Sequence, residues 1–128
     1  MVPVIGKVAY LSYPMTGQPE FGIPRATRIA ASLRKSYPSW TFEVPHEFKH
    51  NGGTAHAVPG WTHADYIRAD LAEVERRQCT AIALVSGWPF SKGCMEEFLW
   101  FRDRDLRIFS VLEYSGWGIK LVGMDGKR

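Results

Sequence analysis

Between residues 86 and 98 the chain reads SGWPFSKGCMEEF, in which Ser91, Lys92 and Gly93 come just before the adjacent carboxylates Glu96 and Glu97. A Gly- and Ser-rich loop that enters a helix offers backbone N–H groups, hydroxyls and a positive dipole end, which together suit a phosphate or another anion. The same residues also make ordinary turns, so both readings of the loop stay open. Glutamates in a first helical turn gain roughly 0.3–1 kcal/mol each from the dipole, which alone would account for Glu96 and Glu97. Yet Met95, Phe98, Leu99, Trp100 and Phe101 leave this segment no broad polar face, so one of the two carboxylates is expected against apolar walls, where an unpaired charge is costly. Asp70 is the second anomaly. It lies on the edge of an apolar stripe, on one helical line with Tyr66 and His63, and reads either as a partner in a helix-surface ion pair or as a second carboxylate facing the same cleft. Two carboxyl groups around one pocket are what cleavage of a glycosidic bond requires: one attacks or stabilises the anomeric carbon, the other handles protons or orients the sugar.

Other chemistries find less support. His46, His50, His56 and His63 accompany no HExxH or Cys-His signature, so they are expected to be solvated and no metal site is assigned. Cys79 and Cys94 form neither a CxxC pair nor a disulfide framework and read as reduced, core or near-core thiols. The formal charge of +3 is spread along the chain, which argues against a stable nucleic-acid partner and is compatible with a small anionic substrate. The first residues lack a basic leader with a long apolar region, and no run approaches the roughly 20 residues of a membrane span, so a cytoplasmic protein without a membrane partner is expected.

The elements that must position these residues are legible in outline. With 128 residues, 45% of them hydrophobic and 23% charged, the whole chain, 1–128, is expected to be one domain. VIGKVAYL, residues 4–11, predicts a buried first strand. A helix follows over 24–36, with Ala26, Ile29, Ala30 and Leu33 inward and Pro24 in its first turn. WTFEV, 40–44, predicts a second strand, after which periodicity is lost from 45 to 60, a surface excursion or a lid. A second helix is expected from Thr62, with Asp65 completing a capping box, to Arg77, its inward face made by Ala64, Ile67, Leu71 and Val74. CTAIALV, 79–85, is apolar without alternation, as a central parallel strand covered on both faces should be. A third helix over 94–104, a strand over 107–112 and an ambiguous tail, in which IKLV is a candidate edge strand, complete the order. Strands alternating with helices predict a small open, mostly parallel α/β sheet of the Rossmann/flavodoxin-like three-layer kind. Ligands bind outside the carboxyl ends of such strands, which selects residues 10–17, 45–60 and 86–93.

At "YLSYPMTG", "YIRADLAEV", "AIALVSGW" and "SKGCMEEF" the chain resembles the nucleoside 2-deoxyribosyltransferase-like superfamily, which includes the deoxynucleoside 5′-monophosphate N-glycosidases, and it looks closest to a small branch common in phage genomes. The matching pieces run in the family's order from about residue 4 to 112. The resemblance implies that Glu97 is the nucleophile, six residues after the serine of the S-x-G turn, that Asp70 is the aspartate of the second helix, and that Tyr10 is the aromatic hydroxyl ending the first strand. It further implies that Ser91 and the Gly93 backbone, with Lys92, meet a 5′-phosphate, and that Ser12, Tyr13, Pro14, Met15 and Gly17 close around sugar or phosphate. Trp88 reads equally as a base-stacking ring or as a cap over the sheet edge. In one departure, Tyr13 replaces a glycine usual in the first loop, so either the phosphate moves or Tyr13 becomes a ligand contact. The loop also lacks the arginine that some members carry there, which leaves Lys92 or Arg25 to take its place.

The activity so implied is cleavage or transfer at the N-glycosidic bond of a (deoxy)nucleoside or its 5′-monophosphate by double displacement, with no cofactor. The alternative is a non-catalytic nucleotide-binding module of the same fold. It would have no need of a nucleophile beside a second carboxylate. The apolar circumference of the 94–102 helix predicts a homodimer or larger homo-oligomer packed through that helix.

Overall fold

The computed structural model describes residues 7–14, 19–48, 60–114 and 118–124. Along the chain run β1 (Val8–Ser12), α1 (Pro19–Ser36), β2 (Thr41–Glu43), α2 (His63–Arg76), β3 (Ala81–Val85), α3 (Lys92–Asp103), β4 (Arg107–Tyr114) and β5 (Gly118–Gly123), with 3-10 turns at Pro45–Glu47 and Trp88–Phe90. They form a five-stranded sheet in the order β2-β1-β3-β4-β5. The first four strands are parallel and β5 returns antiparallel along β4. This is the small, mostly parallel, three-layer α/β arrangement that the alternating pattern predicts.

Two cores flank the sheet. Ala9, Leu11, Ala81 and Ala83 face α1, where they meet Ala26, Ile29, Ala30 and Leu33. Their neighbours in the strands, Tyr10, Ile82, Leu84 and Ile108, face the other way and pack with Val74 of α2 and Phe101 of α3. The period-2 alternation of a strand thus serves both layers at once, which is why β3 is apolar at every position. From β1 the chain moves to β2 on one side, then crosses to β3 on the other. The β1/β3 boundary is therefore the topological switch point of the sheet.

Several boundaries differ from expectation. The first helix starts at Pro19 and contains Pro24 in its interior. Pro19 takes the first position, where a missing N–H is harmless, and the turn before Pro24 has no apolar period to reveal it in sequence. The N-terminal part of the expected first strand, residues 4–6, lies outside the described residues. The stretch after β2 is not all surface excursion: Val44, Pro45, His46 and Phe48 are buried, and residues 49–59 lie outside the described set. Helix α2 begins as predicted, with Thr62 and Asp65 in a reciprocal capping box. Its inward phase is rotated, however. Ala64 is exposed and Ile67 and Leu71 are half-buried, while Asp70 and Val74 are buried, because the helix packs on α3 through the line His63, Ile67, Asp70. No helix among the described residues is long and apolar enough to cross a membrane.

Candidate functional site

Tyr10 and Ser12 are two apart on β1 and so point to the same side, toward α3. Helix α3 starts where Ser91 accepts a hydrogen bond from the Cys94 N–H at 3.3 Å, and this cap sets the phase that turns Cys94, Glu97 and Phe101 inward. The two elements meet at Glu97. The Tyr10 hydroxyl donates to Glu97 Oε2 at 2.5 Å, and the Ser12 hydroxyl donates to Oε1 at 2.6 Å. Two hydroxyls that donate to the two oxygens of one carboxyl favour its ionised form, which accepts at both.

Burial opposes that ionisation. Glu97 is 6% exposed, and desolvation raises its pKa to about 8, against the lowering by Ser12 and Tyr10; the charges acting on it, those of Asp70 and Glu96, are both negative and raise it further. Asp70, 9% exposed, is pushed up to about 7 by its own burial and by the charge of Glu73. Its charge is felt at Glu97, Tyr10 and Tyr13, which places it at the same locus. The surface ion pair that was one reading of Asp70 is thus replaced by a buried carboxyl. Tyr10 itself is held well above its ordinary range by burial and by Glu97, so it remains a neutral donor.

The remaining candidates divide. Pro14 approaches the loop after β3, its Cγ lying 3.4 Å from where a side chain on Gly87 would begin; Gly87 has φ +95°, a conformation that favours glycine. Ser91 is buried, with its oxygen engaged in the cap, and Lys92 is exposed in the first helical turn. Gly93 is half-buried under His63 and Ile67, yet a methyl group there would meet only ordinary contacts of 3.4–3.5 Å. Packing alone therefore does not require glycine at 93. Trp88 is half-buried and packs its ring on Phe98 at 4.9 Å, whereas Phe90 in the same turn is 95% exposed. Met15 and Gly17 lie outside the described residues. Arg25 is committed elsewhere, in an ion pair with Glu113 at 2.5 Å.

Tyr13 and His46 depart most from the sequence reading. His46 is buried: its Nδ1 lies 2.7 Å from the Tyr13 hydroxyl and its Nε2 3.2 Å from Thr27 Oγ1. The solvated histidine expected at this position is instead part of the fold, because the Pro45–Glu47 turn folds back under β1 and α1. Nothing in a lone histidine beside a proline signals that.

No family model, curated protein or solved structure matches the chain. Among the described residues no group of three or more His, Cys, Asp or Glu is arranged to hold a metal ion. Cys79 and Cys94 are free and buried, and burial raises their thiols to about 12 and about 11, so neither is a ready nucleophile at neutral pH. The buried carboxyl gripped at both oxygens is Glu97.

Proposed function

We propose that this protein cleaves or transfers at the N-glycosidic bond of a (deoxy)nucleoside or its 5′-monophosphate, with Glu97 as nucleophile. One observation carries the reading: a buried carboxyl with both oxygens held by hydroxyls, beside a second buried carboxyl, at the switch point of an α/β sheet. The Tyr10 and Ser12 bonds fix the orientation of Glu97 while each oxygen keeps a further lone pair for the anomeric carbon. Attack forms a glycosyl ester as the C–N bond breaks and its electron pair leaves with the base. Asp70, raised to about 7, is protonated in part of the population at neutral pH and supplies that proton to the departing nitrogen. Water or an acceptor base then attacks the same carbon, returns the proton to Asp70 and releases Glu97. This sequence needs no metal or redox cofactor. A 5′-phosphate, where present, is met by the backbone at Gly93 with Ser91 and Lys92.

The reading carries two further elements. A second copy of the chain covers the half-buried Met95, Phe98, Leu99 and Trp100 of α3, making the protein a homodimer or larger. Its place is the cytoplasm, where the substrates are found and thiols such as Cys79 and Cys94 stay reduced.

The test is chromatography of products after incubation with a panel of deoxynucleosides and their 5′-monophosphates, with and without an acceptor base, for wild type and Glu97→Ala. Free base released by wild type and absent with the variant is the expected result. Absence of turnover with every substrate, together with nucleotide binding by both proteins, would make the chain a binding module instead.

A further inference from the structure

Ser12 and Tyr13 are consecutive at the end of β1, and their side chains leave the backbone on opposite sides. Ser12 reaches Glu97 on the α3 side, at 2.6 Å. Tyr13 packs in the core on the α1 side, and its hydroxyl meets His46 Nδ1 at 2.7 Å. His46 in turn meets Thr27 of α1 at 3.2 Å, and its ring stands edge-on to Tyr13 at 5.7 Å and 74°. The end of this strand is therefore gripped from both faces by buried polar contacts.

We propose that His46 is a positioning residue: by holding Tyr13 it pins the carboxyl end of β1, and so keeps the Ser12 hydroxyl on Glu97. Its importance for catalysis rests on the reading of Glu97 as the reacting group, but the clamp itself does not.

The chemistry of the relay supports a permanent contact. Burial lowers the His46 pKa, assisted by Arg34 and opposed by Glu47, so the ring is neutral at neutral pH. A neutral imidazole has one donor and one acceptor nitrogen, which match the two hydroxyls of Tyr13 and Thr27 in either tautomer. Burial holds Tyr13 far above the ordinary phenol range, so that hydroxyl keeps its proton too. The relay thus carries no charge to be screened or titrated near pH 7.

Loss of the clamp frees Ser12 and weakens a bond that favours ionised Glu97. The other groups that act on Glu97 or face it, Tyr10 on β1, Asp70 on α2 and Cys94 and Glu96 on α3, keep their side chains in Tyr13→Phe, and the Tyr13 hydroxyl that is removed carries no charge. The experiment follows the side-chain carboxyl carbon of Glu97 by NMR through a pH titration in wild type, Tyr13→Phe, His46→Ala and Ser12→Ala. Tyr13→Phe keeps the ring in the core and guards against failure of His46→Ala to fold; thermal melting of each variant confirms a folded sample. The expected result is an upward shift of the Glu97 midpoint by about half a pH unit or more in Tyr13→Phe, in the direction set by Ser12→Ala. A shift in Ser12→Ala with none in Tyr13→Phe would overturn the clamp, and so would no shift in either. Turnover is measured separately on the same samples: a moved midpoint without base release from any substrate leaves the clamp standing and removes the glycosidic reading.

Discussion

A buried glutamate whose neighbouring charges, Asp70 and Glu96, are negative as well is a burden to the fold that holds it. Glu97 has its folded-state pKa raised from 4.5 to about 8, so its folded form prefers the proton. Stability from this group is therefore fully present below about pH 4.5 and is lost as the pH rises through about 8. Glu97→Gln removes the titration while its amide still pairs with Tyr10 and Ser12. Its melting temperature should exceed wild type by an amount that grows from pH 5 to pH 8 and then levels, equivalent to a few kcal/mol. Base release should fall at the same time by roughly a thousandfold or more, because the amide is no nucleophile. A variant that is both inactive and less stable at pH 8 would contradict this account. Asp70 adds a second buried proton, raised to about 7, so turnover by the pair should follow a bell whose limbs lie near pH 7 and pH 8, belonging to the two carboxyls together. Gly93 offers a separate check. An alanine there fits the space and removes the conformational freedom of a helical glycine, so Gly93→Ala should stabilise by about 0.5–1 kcal/mol in a denaturant melt. If the backbone at 93 meets substrate, KM should rise several-fold in the same variant.

The elements that carry these residues end in a shared way. Cys79 N–H bonds Val74 O and Gln78 N–H bonds Glu75 O at the end of α2; Leu106 bonds Phe101 and Asp105 bonds Arg102 at the end of α3. Both are Schellman closures, and both place a residue other than glycine in the left-handed region, Gln78 at φ 56° and Asp105 at φ 57°. A residue of this kind is disfavoured there by about 1 kcal/mol, and glutamine lacks the short polar side chain that eases the conformation for aspartate. Gln78→Gly is predicted to raise the melting temperature by a few degrees, and more than Asp105→Gly does. The position is exposed and remote from the candidate site, so base release should be unchanged. These closures matter for the site because each aims the chain directly from a helix into the next strand, β3 or β4, and so fixes the helix against the sheet face where Asp70 and Glu97 lie.

For the whole molecule, the surface of α3 decides the expected assembly. Met95, Phe98, Leu99 and Trp100 are half-buried in one copy, with Arg104 lying over the Trp100 ring at 3.8 Å. Size-exclusion chromatography with light scattering should give a dimer or larger at micromolar concentration, and Leu99→Glu should reduce it to the monomer; a monomeric wild type would remove the assembly from the proposal. Much of the architecture was already legible in the amino-acid order. The alternation of strand-like and helical runs, the unbroken apolar β3 and the Thr62/Asp65 cap are local patterns with periods of 2 and 3.6, and they require no knowledge of distant residues. Asp70 and one of the pair Glu96 and Glu97 were candidates on the same basis; the choice of Glu97 and the role of Tyr10 came from the family resemblance. Only the tertiary structure decided that Tyr10 and Ser12 share the two oxygens of Glu97, across 87 and 85 residues of chain, and that His46 is buried against Tyr13. The rotation of α2 that buries Asp70 and exposes Ala64 is likewise tertiary. The physical reason is common to all three: hydrophobic period gives the approximate inward face of an element, but its final phase and the partner of a buried polar group depend on how helices and strands are docked, and no local pattern encodes that.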